Sequence, residues 1–301
     1  MIAPLRRGVR HNRLGERARG RPSGRLDVLG ILAYGGLPVA TDEFLTHLFC
    51  LVDDRLGARP KHPQAKLWPS EIVTLGLLCA LKGGSFRSFY RWLARDYQPL
   101  FPALPDRTRL LRTLRAHQAW AEDFLADPTF FTVIDTYGIE LIHPWREGRS
   151  PQQVGRKGYC GHRWIVGIKL CWLLNRRGEV VAWEWKTANV HDQNFAALAE
   201  RFDGHTITLA DQGFHAAHGD PSNLLICKRG VWNDRMVVET LFSLAHGVFG
   251  LKHLLHRRAP YVSMRLAFTS ALVNALLTLN HQLDPTLDPD AIYLHMAQYS
   301  L

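Results

Sequence analysis

Two apolar segments that each end in an aspartate constrain the fold of this chain more than any other feature. The segment TFFTVIDTYGIE begins with β-branched and aromatic side chains, which predict a buried strand that delivers Asp135 at its end. The segment TITLAD repeats the pattern and ends at Asp211. A third acid, Glu239, lies in residues 233–249, whose apolar spacing predicts a helix.

Two strand-end aspartates and one helical glutamate are suitable ligands for a pair of divalent cations. Mg²⁺ and Mn²⁺ prefer carboxylate oxygen and water, and two ions about 3.5–4 Å apart can act on both oxygens of a phosphoryl displacement. Aspartate at a strand end is also a common turn residue or helix cap, so each acid alone has a structural explanation. The catalytic interpretation depends on Asp135, Asp211 and Glu239 together.

The positive charge of the chain is concentrated near its N-terminus. The 301 residues carry a net charge of +10, and residues 1–25 hold eight arginines against one acid, Glu16. A basic arm of this kind can bind DNA phosphates. A disordered solvated tail, or a start codon assigned upstream of the true one, accounts for it at least as well. The net charge alone therefore gives weak support for a nucleic-acid partner.

Cysteine usage and hydropathy indicate a protein of the reducing cytoplasm. The five cysteines are scattered, odd in number and form no Cys-x-x-Cys pair, which argues against a zinc site or a disulfide framework. The N-terminus lacks the apolar stretch of a signal peptide. The longest apolar candidate, residues 262–279, contains Arg265 and Asn274, which favours a packed helix over a membrane span.

Residues 40–125 predict an all-helical N-terminal region with basic stripes. Apolar spacing, capping residues and prolines predict four helices, at residues 40–56, 70–81, 85–97 and 107–124. The third of them carries Arg87, Arg91 and Arg95 at intervals of four along one face. A domain that binds DNA ends and an ordinary bundle with a solvated basic face explain this pattern about equally.

The pattern changes to strands from residue 129 onward. RWIVGIKLCWLL and EVVAWEWK flank the turn NRRG and predict a β-hairpin. A helix through Phe202 follows, with Asp192 as its N-cap, and then strands at TITLAD and at residues 223–228. Three antiparallel strands followed by parallel crossovers make a mixed five-stranded sheet covered on both faces by helices. This is the order of a ribonuclease-H-like α/β fold.

Four side chains of the predicted Glu239 helix share one stripe. At about 100° per residue, Trp232, Arg235, Glu239 and His246 fall within about 60° of one another, and an apolar face turned away from them packs on the sheet. Arg235 can hold a phosphate oxygen, and Trp232 can stack on an unpaired base. The structural alternative is a surface ion pair between Arg235 and Glu239, which stabilises a helix only slightly.

Six short segments together carry a resemblance to a known family. They are V-I-D at Asp135, A-N-V-H-D at 188–192, L-A-D-Q-G-F at 209–214, W-x-x-R-x-x-x-E at 232–239, S-F-Y-R-W-L at 88–93 and F-P-A-L-P-D-R at 101–107. In these segments the chain resembles the DDE-type transposases of bacterial insertion sequences. The resemblance extends from Ala40 to His281.

The resemblance implies the chemistry and the roles of individual residues. In such enzymes a ribonuclease-H-like domain uses the acids matching Asp135, Asp211 and Glu239 to bind two Mg²⁺ ions, with Mn²⁺ as a substitute. Water cuts a phosphodiester, and the freed 3′-hydroxyl then attacks target DNA. Many members share Tyr-x2-Arg-x3-Glu-x6-Lys, in which Trp232 here replaces tyrosine and His246 replaces lysine. Tryptophan keeps a stacking surface, whereas a neutral imidazole is a weaker phosphate contact.

The resulting prediction is an Mg²⁺-dependent DNA transposase that acts on the ends of its own element. We expect a basic arm at residues 1–27, a helical region at 28–127 and a catalytic domain at 128–301. The expected partners are the terminal inverted repeats and target DNA, bound by a homodimer in the bacterial cytoplasm, with no membrane. The expected DNA-binding residues are Trp232, Arg235, His246, Lys157, Arg156, Lys169 and Lys228.

The sequence leaves two alternatives to this prediction. One is a nuclease of the same fold that cuts DNA but does not join it. The other is a decayed or domesticated protein that binds DNA without cleaving it, although the presence of all three acids argues against decay.

Overall fold

Four α-helices form the N-terminal part of the described chain. The structure is a computed structural model, which describes residues 41–161, 163–227, 235–252, 254–283 and 285–286. The helices are α1 (Thr41–Leu56), α2 (Pro69–Lys82), α3 (Phe86–Asp96) and α4 (Arg107–Ala116). They confirm the four predicted helices, except that the last one is shorter. It ends before His117, and a 3-10 helix, Gln118–Phe124, continues the path.

Local sequence signals fix where α2, α3 and α4 begin. Pro69 occupies the first turn of α2, where its missing N–H costs nothing, and the Glu71 carboxylate accepts a hydrogen bond from Trp68 N at 2.6 Å. Ser85 caps α3 and Asp106 caps α4, each by accepting backbone N–H groups of the first turn. These caps explain why the sequence predicts the helix starts well.

A mixed six-stranded sheet forms the second part of the fold. Its strands are β1 (Phe131–Ile142), β2 (Arg156–Cys160), β3 (Arg163–Asn175), β4 (Val180–Thr187), β5 (Ile207–Ala210) and β6 (Leu224–Ile226). The helices of this part are α5 (Ala196–Glu200), α6 (Arg235–Phe249) and α7 (Ala259–Leu283). β3 is antiparallel to β1, β2 and β4, whereas β5 is parallel to β1 and β6 is parallel to β5.

The expected five-stranded sheet is wrong by one strand. The additional strand, β2, pairs with the first residues of β3, beyond the end of the β3–β4 ladder. β2 has the sequence RKGYC, with Gly158 as its one buried residue, so it lacks the apolar alternation that marks a half-buried strand. β1 also continues to Ile142, so Asp135 lies inside this strand and not at its end. The predicted β3–β4 hairpin and its turn at Gly178 are confirmed.

α7 connects the helical region and the sheet through one hydrophobic core. Its side chains Leu266 and Leu272 belong to the same buried cluster as Leu48 of α1 and Leu77 of α2. Its Ser270 Oγ accepts a hydrogen bond from the indole of Trp172 at 2.8 Å. By length and composition α7 would suffice to cross a membrane, but 89% of that segment is buried inside the fold. It is thus the packed core helix that the sequence predicts.

The low pKa of His256 makes part of the stability of this fold sensitive to acid. Burial, followed by the charge of Arg265, lowers the pKa of His256 to about 4. The unfolded chain therefore binds a proton from about pH 6.5 downward, whereas the folded chain does so only near pH 4. We expect this residue to remove about 2 kcal/mol from the free energy of unfolding between pH 7 and pH 5.

Urea unfolding at pH 7 and pH 5 measures this effect. The variant His256→Gln should show a smaller loss of stability over this range than the wild type, by about the same 2 kcal/mol. His205→Gln, at an exposed position, is the matched control. Equal pH dependence in His256→Gln and the wild type would contradict the assignment.

Candidate active site

Asp135 and Asp211 lie just beyond the point where β1 and β5 stop pairing. The last paired residues of these parallel strands are Val133 and Leu209. Asp135 and Asp211 each follow two positions later, and both are half-buried. Neighbouring strands are about 4.8 Å apart, and residues two positions apart along a strand point to the same face. Continued by two positions, this register would make neighbours of two acids that the sequence predicts from separate segments.

A backbone N–H orients each of these two carboxylates. Thr136 N donates to Asp135 Oδ1 at 2.7 Å. Gly213 N donates to Asp211 Oδ1 at 2.9 Å, and Asp211 thereby caps the short 3-10 helix that follows β5. Capping and ligand binding are compatible here, because the hydrogen bond engages one oxygen of a group with about four acceptor sites.

α6 packs on the sheet through Phe242, which borders the stripe that carries Glu239. The Phe242 ring is stacked between Trp172, at 4.9 Å, and Tyr137, at 5.1 Å. Trp172 is the β3 partner of Asp135. Glu239 is exposed and lies one turn before Phe242 on the same side of the helix. The predicted apolar face is buried, with Leu241, Ala245 and Phe249 fully enclosed. The sheet contact differs from the prediction at one edge of the stripe, where His246 and the neighbouring Phe242 pack against Tyr137 of β1.

The direction of α6 places Glu239 toward the Asp135 end of β1. Phe242 contacts Tyr137, and beyond the helix the carbonyl of Lys252 accepts a hydrogen bond from Glu140 N at 3.2 Å. α6 therefore advances along β1 in the direction of the strand. Glu239 lies about 4.5 Å behind Phe242 along the helix axis, on the side of Asp135.

The three acids have the right chemistry to bind a hard divalent cation, but their side chains are not close enough together to form a metal site. Carboxylate oxygens are the donors that Mg²⁺ and Mn²⁺ prefer. Within the described part of the chain, however, no group of three His, Cys, Asp or Glu side chains is close enough to hold a metal ion. The structure brings Asp135 and Asp211 into register, and it does not join Glu239 to them as a third ligand.

A further acid, Asp192, reaches the same end of the sheet. Its Oδ1 accepts hydrogen bonds from Lys169 Nζ at 2.8 Å and from Thr136 Oγ1 at 2.9 Å. A β-carbon added at Gly213 would lie 3.1 Å from Asp192 Oδ2 and 3.0 Å from Asp211 Oδ1, so both carboxylates approach one point. Thr136 joins the site from both sides, because its N–H donates to Asp135 and its hydroxyl to Asp192.

The prediction of Asp192 as a helix cap is wrong. His191 occupies the N-cap position of a short 3-10 helix, Asp192–Phe195, and no side chain caps it. The signal in the sequence was the lysine in the middle of apolar β3, since a buried ammonium requires an acidic partner. Lys169, expected to contact DNA phosphate, is only 8% exposed and its charge is paired with Asp192.

His246 contacts β1 of the sheet and is predominantly neutral. Its Nδ1 lies 2.7 Å from the hydroxyl of Tyr137. Burial, followed by the positive charges of Lys252 and Arg163, lowers the pKa of His246. Burial also raises the pKa of Tyr137, so this hydroxyl keeps its proton. The pair therefore locks α6 to β1 as an uncharged contact, which gives little support for a phosphate-binding histidine.

The remaining predicted DNA-binding residues fall into two groups. Arg156 and Lys157 lie on β2 with exposed side chains. Trp232 and Lys228 lie outside the described residues, as does the side chain of Arg235.

No family model, no curated protein and no solved structure matches this chain.

Proposed function

We propose that the protein is a metal-dependent DNA transposase that cuts and joins the ends of its own element. The observation that supports this most strongly is the parallel register of β1 and β5, whose last pair, Val133 and Leu209, lies two residues before Asp135 and Asp211. Two acids from distant segments, on adjacent parallel strands, are the minimum that a carboxylate site for phosphoryl transfer requires.

The strand order supports a ribonuclease-H-like fold for the catalytic part. β4, β3 and β1 form an antiparallel series, and β5 and β6 follow as parallel strands on the other side of β1. This is the mixed arrangement expected for that fold. β2 is an addition at the outer edge of β3.

Asp135 and Asp211 would hold the cations in this proposal, and Glu239 would complete the site. Bound Mg²⁺ or Mn²⁺ would supply activation of the nucleophile and stabilisation of the leaving oxygen. The protein contributes carboxylates that backbone N–H groups already orient, which reduces the reorganisation needed on binding. For Glu239 to join, the first turns of α6 must approach Asp135.

The incomplete triad is the specific observation that favours a second candidate function. A protein that binds DNA ends without cleaving them would not need the three acids to lie close together. Among the described residues, no three acidic, histidine or cysteine side chains are close enough to hold a metal ion. Its other expected properties would be the same: DNA as the partner, a dimer on DNA and a cytoplasmic location. A nuclease that cuts without joining is the third outcome of the same test.

Incubation of the full chain with end-labelled DNA that carries the element's own terminus tests the proposal. With Mg²⁺ or Mn²⁺ we expect a cut at the terminus and, with added target DNA, a joined product of higher mass. Cutting without joining would assign a nuclease. Binding without cutting in either metal would replace the proposal with the DNA-binding protein.

A further inference from the structure

The β2–β3 hairpin carries two large aromatic side chains on its surface. Tyr159 and Trp164 are 56% and 60% exposed. They are directly opposed cross-strand partners, and their rings meet edge to face with centroids 5.5 Å apart. Single exposed aromatic residues are common, but an exposed aromatic pair is apolar surface of the kind that ligands cover.

Basic side chains lie beside this pair, Lys157 on the same face of the hairpin and Arg156 and Arg163 on the opposite face. Arg156, Lys157 and Arg163 are all exposed on the same two strands, and Lys157 Nζ lies 5.4 Å from the centre of the Trp164 ring. Two acids are near. Glu140 pairs with Arg163 at 3.5 Å, and Glu147 accepts a hydrogen bond from the backbone N–H of Lys157. The side chains of Arg156 and Lys157 have no carboxylate within 4 Å among the described residues.

The hairpin lies close to the candidate acids. A β-carbon added at Gly138 of β1 would lie 2.5 Å from Cys160 Cβ, so the end of β2 covers the middle of β1. Cys160 Sγ also lies 3.9 Å from the carbonyl of Ala188, four residues before Asp192. Tyr159 and Trp164 point away from Cys160, to the face of the sheet that carries Trp172, the partner of Asp135, so a strand held by the two rings would lie on that face.

We propose that the β2–β3 hairpin is a binding site for unpaired nucleic-acid bases. The rings of Tyr159 and Trp164 provide the stacking surface, and Lys157, on the same face of the hairpin, contacts the adjacent phosphates. Exposed aromatic rings within a basic surface are the combination that binds single strands without sequence preference. Bases of an intact duplex are already stacked on each other, so the site should discriminate against blunt duplex DNA. This binding does not require that the protein cleave DNA, so it does not rest on the proposed function.

The test measures the affinity of the full chain for a fluorescent oligothymidine and for a blunt duplex of random sequence. EDTA is present throughout, so that no cleavage occurs and a failure of the transposase proposal leaves the result interpretable. We expect tighter binding to the oligothymidine. Trp164→Ala should weaken this binding about 5- to 150-fold, since stacking on an aromatic ring contributes about 1–3 kcal/mol per base.

The dependence of affinity on salt separates stacking from charge. Trp164→Ala should leave the slope of log affinity against log salt unchanged, because it removes no phosphate contact. Lys157→Gln should reduce that slope by about 0.7 for a single strand. Phe130→Ala removes another exposed ring, 67% accessible and just before β1, and should bind like the wild type.

Two results would overturn the inference. One is wild-type affinity of Trp164→Ala for the oligothymidine. The other is an equal loss of affinity for the oligothymidine and for the duplex, which would assign the hairpin to paired DNA. Trp164→Phe separates stacking from an indirect effect on the fold, because it keeps an aromatic surface and should retain most of the affinity.

Discussion

Replacing Asp135 or Asp211 by asparagine is expected to reduce DNA cleavage about a thousandfold or more. Asparagine keeps the shape of the side chain but removes the charge that a divalent cation requires, and cations contribute several kcal/mol to a phosphoryl-transfer transition state. Binding of the DNA end should be preserved, because both residues keep an oxygen that can accept their backbone hydrogen bonds. Cleavage rates and end binding, measured on the same preparations, test this pair of expectations.

Asp54→Asn is the matched control, since Asp54 is an exposed aspartate on α1. It should cleave like the wild type. Full activity in Asp135→Asn would show that this aspartate is a structural residue and that the site is wrongly assigned. Loss of end binding together with cleavage would instead indicate a folding defect, which thermal unfolding of the variant reveals.

The identity of the third ligand is decided by the same assay with two further variants. Glu239 lies toward Asp135 on α6, whereas Asp192 already shares the space beside Gly213 with Asp211. If α6 moves to complete the site, Glu239→Gln should be as inactive as Asp135→Asn, and Asp192→Asn should keep measurable activity. The reverse result would make Asp192 the third ligand and Glu239 a surface residue.

The sequence predicts the parts of this fold that depend on local signals. The starts of α3 and α4 and the turn at Gly178 lie where the sequence places them, because caps such as Ser85 and Asp106 and a turn glycine each act within a few residues. The strand β5 and its aspartate are also recognised, because a short apolar run that ends in an acid is a local pattern. The meeting of Asp135 with Asp211 follows from parallel pairing of strands whose order the sequence suggests.

The errors concern features set by tertiary contacts. β2 forms because β3 offers an unpaired edge, and nothing in RKGYC itself requires a strand. Phe242 extends the buried face of α6 to the edge of the polar stripe, because its ring stacks on Tyr137 and Trp172, which lie far away in the sequence. Asp192 is recruited by Lys169, a partner 23 residues earlier in the chain. Spacing alone cannot reveal such partners.

Arg265 is the residue whose loss should destabilise the fold most. It lies in α7, is 3% exposed, and its Nη2 donates to the carbonyls of Ala80 at 2.8 Å and Phe249 at 3.1 Å. Its Nη1 donates to the carbonyl of Cys79. These carbonyls belong to the last turn of α2 and the last residue of α6, where helices leave acceptors without partners.

The guanidinium of Arg265, on α7, therefore caps the C-terminal ends of both α2 and α6. A positive charge at this end of a helix is favoured by the helix dipole, which partly offsets the cost of burial. Burial nevertheless lowers the pKa of Arg265, and its Nε has no partner among the described residues. The residue is thus costly to bury, and its removal is costly too, because it would leave three buried carbonyls without donors.

We expect Arg265→Ala to lower the free energy of unfolding by about 3–5 kcal/mol, a large part of the 5–15 kcal/mol typical of a domain. Urea unfolding should show a lower midpoint with an unchanged slope. Arg176→Ala, at an exposed turn, is the control and should change stability by less than about 0.5 kcal/mol. Arg265→Met keeps much of the volume but supplies no donor. A stability of Arg265→Met equal to that of the wild type would mean that the burial cost of the charge cancels its three hydrogen bonds.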